Sequence, residues 1–480
     1  MIEPRLFVCN GSFQNENDRR AIGRKLLELS SLGPTANVNI RIEDVARVFL
    51  RHLSPRLVDL VEIASFVYTA DCATRRGIDW GEQGGVEAWG RDFHFVISVR
   101  DLEFWQQPQI AKSLSEILTF LSDDKYRFDF EQLHDERPVQ EYLEFGDLEE
   151  WPFYGADRVL MFSGGLDSLA GAVETAYGGE KLILVSHRPV GTLSRRQREL
   201  YGSLRILYPV PMLHIPVWIN KAKPLGREHT QRTRAFLYSA LGTVVAQSLR
   251  TKGVRFFENG VVSLNLPVAD EALRARASRT THPFVLTLLS EFYSQVLERE
   301  FLVDNPYIFL TKTDVVNNIA KFGATRLIQH TCSCAHTGHF QSASQWHCGT
   351  CSQCIDRRVA IIAGNLSEYD PESDYLSDVF LGSRKPGYEQ SMAVHYARHG
   401  LELSRMSEEE FANSFSLELS RATYAFEKRR DAVQRFIEMH KRHGETVRSI
   451  LQQQIELNAA TILSGEVSSQ SLIGVRATYS

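Results

Sequence analysis

The chain has 480 residues, 43% of them apolar, and 54 basic against 59 acidic side chains for a net charge of -5. That length supplies two to four units at roughly 100–200 residues each, and nothing in the charge totals demands a nucleic-acid partner. No apolar run nears the ~20 residues of a membrane span, and Met1-Ile2-Glu3-Pro4-Arg5 does not open a signal peptide, so a cytoplasmic protein without a membrane partner is expected.

Residues 1–150 read as an N-terminal α+β accessory domain. Phe93 to Val99 is strand-like and Leu57 to Ala64 helix-like, and the acidic run Glu144 to Glu150 before Trp151-Pro152 reads as the exit linker. From Arg158 short apolar runs alternate with helical stretches. Strands are expected at Val159–Phe162, Lys181–Val185, Met212–Val217 and Val254–Phe257. Helices are expected through Leu169–Val173 and over Arg195–Tyr208, Arg232–Leu249 and His282–Phe301. Such alternation predicts an α/β fold with a parallel sheet covered on both faces, its ligand beyond the strand C-termini. This central domain is assigned to residues 151–365. Residues 366–480 read as a helical C-terminal region, with apolar helical spacing at Phe411–Phe415 and Ala432–Leu457 and a polar, loosely ordered end from Glu466 to Ser480.

The strongest motif is Ser163-Gly164-Gly165-Leu166-Asp167-Ser168, after a strand and at the start of a helix. Two glycines there let backbone N–H groups and the helix N-terminus face an anion, which makes a phosphate cradle. Ser163 and Ser168 add hydroxyls, and Asp167 calls for a cation, Mg²⁺, between its carboxylate and the phosphates. The competing reading is a Gly-Gly turn with a serine cap. No Gly-x-x-x-x-Gly-Lys-Ser/Thr string occurs, which disfavours γ-phosphate transfer.

Five of the seven cysteines fall between Cys332 and Cys354. Cys348, Cys351 and Cys354 are spaced to share one ion, with Cys334 as a fourth ligand, a set that suits structural Zn²⁺. Cys332, His336, His339 or His347 could replace Cys334. An iron-sulfur cluster or unligated thiols are the other readings, and Cys9 and Cys72 read as buried core thiols.

The loop resembles the signature of the PP-loop ATP pyrophosphatases, and the later features resemble QueC, the 7-cyano-7-deazaguanine synthase family. Thr311-Lys312-Thr313-Asp314-Val315-Val316 resembles the family's lysine-bearing segment. Ser333-Cys334 with Cys348 to Cys354 and Asp356-Arg357-Arg358 resembles its metal knuckle. The resemblance covers about residues 157–362. It implies ATP bound on residues 163–168, a catalytic trio of Asp167, Ser168 and Lys312, and activation of a deazaguanine carboxylate with release of AMP and pyrophosphate. It departs from QueC at Gln231-Arg232-Thr233-Arg234, which lacks the family's asparagine, and at Arg279-Thr280-Thr281-His282-Pro283, where the family has a substrate segment. Gln197, Arg232, Arg234 and His282 are the substrate candidates. The extra regions resemble longer QueC-like proteins of anti-phage defence systems, which implies an ATP-dependent ligase joining the deazaguanine to a partner protein. A homodimer is compatible with this. Nitrile synthesis with ammonia, tRNA thiolation and a catalytically silent defence scaffold are the alternatives.

Other segments carry two readings each. The Arg195-Arg196-Gln197-Arg198 run is either an anion contact at a helix start or a solvated basic face. Glu258-Asn259-Gly260 sits at a strand C-terminus as a candidate substrate edge. Arg357 and Arg358 would pair with Asp356 or with phosphate, and His440, Arg442 and His443 read as exposed docking residues in preference to a catalytic set.

Overall fold

The central sheet forms because its strands are apolar on both faces, as parallel strands under helices must be. In the computed structural model, which describes residues 5–11, 26–33, 36–40, 53–76, 90–134, 153, 155–187, 191–228, 232–267, 279–335 and 345–477, two parallel sheets organise the chain. The acidic linker, Arg188, Pro189, Gln231, His336 and His339 lie outside the described residues.

The first sheet joins β1 (Arg5–Cys9), β2 (Leu26–Leu29), β4 (Asp92–Val99) and β5 (Lys125–Gln132) in the order β2-β1-β4-β5, all parallel. Parallel neighbours need crossovers. Helix α1 (Pro55–Ala73) precedes β4, and α2 (Leu102–Trp105) with α3 (Pro108–Ser122) joins β4 to β5. The region expected as α+β is therefore α/β in its strand direction. Its register aligns Phe7, Phe95 and Phe128, whose rings stack at 5.0 and 5.3 Å. β3 (Val38–Ile40) leaves this sheet and pairs antiparallel with β9 (Ile219–Lys221) of the central region.

The second sheet has the order β11-β10-β6-β7-β8. It contains β6 (Val159–Met161), β7 (Leu182–His187), β8 (Met212–Val217), β10 (Gly253–Arg255) and β11 (Leu302–Asp304), all parallel. Between them run α4 (Leu166–Tyr177), α5 (Gly191–Leu207), α6 (Arg234–Ser248), α7 (Gly260–Leu264) and α8 (Pro283–Leu297). The expected strand at Val254–Phe257 ends at Arg255, and β9 and β11 are additions to the expected set. Chain order reverses at β6, with β7 on one side and β10 on the other, and this switch point is where such sheets bind ligands.

One apolar core runs from Phe7, Leu60, Phe66 and Trp105 of the first region into Met161, Val185, Phe236 and Phe292 of the second. The opposite face of the central sheet packs Leu166, Leu169 and Leu204 against α9 (Lys312–Lys321) and α10 (Ser352–Ala363). The C-terminal region is helical: α11 (Tyr388–Arg405), α12 (Glu408–Ser414), α13 (Ser416–Ala422), α14 (Arg429–Leu457), α15 (Ala459–Leu463) and α16 (Leu472–Ala477). α16 falls in the end expected to be loosely ordered. Leu472 and Ile473 are buried in a cluster with Phe380 and Val447, because two apolar residues in a polar tail found a groove to fill. No helix among the described residues is long and apolar enough to cross a membrane.

Candidate nucleotide site and four-cysteine centre

The loop leaves β6 after Met161 and is bound tightly into the fold. Phe162 N–H donates to the Val185 carbonyl at 2.8 Å, and Gly164 turns with φ +86°, a left-handed conformation that glycine adopts without strain. A Cβ at Gly164 would also sit 3.3 Å from Gln197 Cγ. Ser168 Oγ accepts from Gly164 N–H at 3.2 Å and lies 3.2 Å from Ser163 Oγ, while Gly165 N–H donates to Ser163 Oγ at 3.3 Å. Gln197 Nε2 donates to the Ser163 carbonyl at 3.1 Å, and Cys332 N–H to the Gly164 carbonyl at 3.0 Å. Gln197 Oε1 and Ser333 Oγ, both beside the loop, are buried without hydrogen-bond partners among the described residues. Buried polar atoms are normally satisfied, so these two suit a polar ligand on the loop.

Asp167 and Lys312 are 145 residues apart and meet in an ion pair. Asp167 Oδ1 also accepts from Asn259 N–H and Nδ2, each at 3.2 Å. Lys312 is the first residue of α9, held by a capping box in which Thr311 and Asp314 satisfy each other's backbone N–H groups. Lys312 is almost fully buried. Burial opposes its charge, but the carboxylates of Asp167, Asp356 and Glu258 outweigh that and raise its pKa. Asp356, on α10, accepts from the Tyr396 hydroxyl at 3.1 Å, and its Oδ2 has no hydrogen-bond partner among the described residues. Tyr396 comes from α11, so the C-terminal region reaches the wall of this site.

Cys334, Cys348, Cys351 and Cys354 bring their sulfur atoms within 4.8 Å of one another, and Cys348 Sγ lies 3.8 Å from Cys354 Sγ. Four thiolates at about 2.3 Å from one ion stand about 3.8 Å apart. A [4Fe–4S] cluster would spread them over separate irons, so the arrangement fits a single zinc-like ion. The turn between Cys348 and Cys351 needs Gly349, whose φ is +79° and whose Cβ position lies 1.9 Å from the Ser377 carbonyl oxygen. Cys332, with its thiol toward the Trp346 carbonyl at 3.5 Å, and His347, with its ring 4.9 Å from Tyr375, stand outside the set. Cys9 and Cys72 are buried, free thiols.

The substrate candidates divide. Gln197 is at the loop. Arg232 instead pairs with Asp123 at 3.4 Å, and Thr233 gives its N–H and hydroxyl to Asp71, each at 3.0 Å. Burial and Arg76 lower the Arg232 pKa to about 10. Arg234 donates to the Tyr238 hydroxyl at 2.5 Å, with Tyr68 and Cys72 nearby. His282 caps α8 by accepting from Phe284 N–H at 3.2 Å and lies 5.0 Å from the Phe120 ring. Burial, then Arg279 and Arg421, lower its pKa to about 3. Of the positions that depart from QueC, Arg232, Thr233, Arg279 and His282 thus contact the N-terminal region, whereas Thr281 donates to Glu258, and no described hydrogen bond joins any of them to the loop.

Three pairings differ from expectation. Arg357 and Arg358 pair with Asp370, and Arg358 also with Glu372, leaving Asp356 to Tyr396. Arg196 lies 3.3 Å over the Trp346 ring while Arg195 pairs with Glu199, so the arginine run is only partly a solvated face. His440 and His443, expected to be exposed, are buried where α14 meets α11; Arg442 alone is exposed, pairing with Asp314 at 3.2 Å. Their helical spacing was that of a core stripe. Asn259 fell within a segment singled out on topology, and Thr281 and Ser333 within segments compared with QueC; Tyr396 carried no local signal.

Residues 282–364, under a fifth of the chain, match the family model described as Queuosine biosynthesis protein QueC. No curated protein matches the chain. The matched span carries α8, Lys312 and all four clustered cysteines, and the loop that Lys312 reaches lies outside it. Within residues 282–364, then, the chain is similar to QueC, and that span sits in the mixed α/β core with the four-cysteine cluster.

Proposed function

We propose that the chain is an ATP-dependent ligase that adenylylates a deazaguanine carboxylate and passes the acyl group to an amine on a partner protein. The observation that carries this reading is the pairing of buried Lys312 with Asp167 at the edge of the glycine loop. A carboxylate oxygen attacks the α-phosphorus of ATP, pyrophosphate leaves, and an acyl-adenylate remains. The loop N–H groups and Ser163 position the phosphates, and Lys312 stabilises charge on the departing pyrophosphate. Asp167 keeps Lys312 charged and placed. Mg²⁺ at this loop would be held by Asp167, whose carboxylate Lys312 and Asn259 already share.

Zinc in the four-cysteine centre would brace α10 and the segment that bonds Gly164, with no open position for chemistry. A protein amine as acceptor is favoured by the engagement of Arg232, Thr233 and His282, in the family's substrate segments, with the N-terminal region. Nitrile formation with ammonia is the second reading, favoured by the family match. Incubation of the full chain with Mg-ATP, 7-carboxy-7-deazaguanine and candidate partner proteins, followed by intact-mass analysis, separates them. A deazaguanine-sized gain on a protein supports conjugation. Free nitrile formed only with ammonia would replace conjugation by the biosynthetic reaction, and no product of either kind would overturn both.

A further inference from the structure

Acyl transfer needs something the loop does not provide. An amine that bonds the acyl carbon becomes positively charged and must lose a proton as AMP departs, so a base is needed near the acyl group. Ser163 and Ser168 are bonded to each other and to the loop backbone, and Asp167 is occupied by Asn259 and Lys312.

Glu258 stands just past the C-terminal end of β10, across the switch point from the loop, and its neighbour Asn259 is the residue bonded to Asp167. The backbone at Glu258 is fixed on both sides by Asn305, whose Nδ2 donates to the Glu258 carbonyl at 2.8 Å and whose Oδ1 accepts from its N–H at 3.2 Å. The Thr281 hydroxyl donates to Oε2 and is itself 2.8 Å from Ser263 Oγ. Oε1 has no hydrogen bond among the described residues, and the side chain is only partly buried. Two charged groups face it: Asp167 from α4 and Lys312 from α9. Burial pushes the carboxyl up to about 7; Asp167 adds to this, and the Thr281 hydroxyl and Lys312 oppose it.

The geometry points to Glu258 as the base that accepts the amine proton in the acyl-transfer step, an inference that rests on the adenylation reading above. The amine nitrogen forms a C–N bond to the acyl carbon, and the C–O bond to AMP breaks with its electron pair leaving on the phosphate oxygen. The proton from nitrogen passes to Glu258 Oε1 and from there to solvent.

Two nucleophiles test this with the full chain, ATP and 7-carboxy-7-deazaguanine. Hydroxylamine is unprotonated near neutrality and nucleophilic enough to trap acyl-adenylates with water taking the proton from its adduct; ammonia is mostly ammonium there, so it must lose a proton before it attacks and another afterwards. Glu258→Gln is expected to keep pyrophosphate–ATP exchange and hydroxamate formation while amide formation with ammonia falls by about 10²-fold or more. Loss of exchange and hydroxamate along with the amide, or an amide rate near wild type, overturns the assignment. Thr281→Val keeps the carboxylate but removes a donor to its charged form, so the rise of amide rate with pH should move upward; an unmoved profile also counts against Glu258. Absence of exchange in the wild-type chain would instead sink the adenylation reading itself.

Discussion

Asp71→Asn removes one charge from a buried four-residue network and is expected to cost about 3–5 kcal/mol, the usual penalty for breaking one side of a buried ion pair. Asp71 and Asp124 are fully buried between Arg76 and Arg91, with Arg91 Nη2 2.6 Å from an oxygen of each. The second Asp71 oxygen takes both Thr233 bonds. Asparagine fills the same space, so no cavity opens, and its one oxygen can still accept from Thr233, but its Nδ2 then faces Arg91 and Arg76 where an accepting oxygen had been. What remains is two guanidinium groups sharing one carboxylate. Burial opposes ionisation of Asp71, but Arg91 and Arg76 prevail and lower its pKa. Because the folded-state value is depressed, its stabilisation is fully present above the unfolded carboxylate value of about 3.9. It is lost as pH falls through the folded-state value. Urea unfolding of both proteins should therefore show a constant gap from pH 5 to 8 that closes only in acid. A gap under about 1 kcal/mol at pH 7, or one that closes between pH 5 and 8, would refute the claim that this buried network stabilises the fold of the N-terminal region.

Lys312→Met should lower pyrophosphate–ATP exchange by about 10²–10³-fold, measured at saturating ATP; a change within threefold would remove Lys312 from the chemistry. Gly164→Ala forces a side chain onto a φ of +86° and against Gln197, so the Km for ATP should rise at least tenfold in steady-state exchange assays, with the melting temperature nearly kept. Elemental analysis of the purified chain should give one zinc and no iron, and Cys351→Ser should lose the metal and unfold at lower urea. Iron in place of zinc would contradict the single-ion geometry.

What the sequence revealed was mostly local. The strand-loop-helix around Ser163 to Ser168, the cysteine spacing and the alternation behind the parallel central sheet are each set by neighbouring residues, and all are present. The Lys312 assignment came through a resemblance, and the structure brings that residue onto Asp167 from 145 positions away. The rest depended on contacts between distant segments. Strand direction in the first sheet follows from its crossover helices, and β11 is only three residues of Leu302-Val303-Asp304, too short to show a period. Arg232 and His282 were read as substrate positions, and Thr233 as a departure between them, because of where they fall in the family's order, yet their partners Asp123, Phe120 and Asp71 belong to a region that family order does not include. Polar residues such as His440 and His443 look exposed in a charged helix until its partner helix is placed over them.

The most direct test of the account is pyrophosphate–ATP exchange by the full chain with and without 7-carboxy-7-deazaguanine, in the wild type and in Asp167→Ala. The account predicts carboxylate-dependent exchange that disappears in the variant. No exchange in the wild type, or full exchange without Asp167, would contradict it.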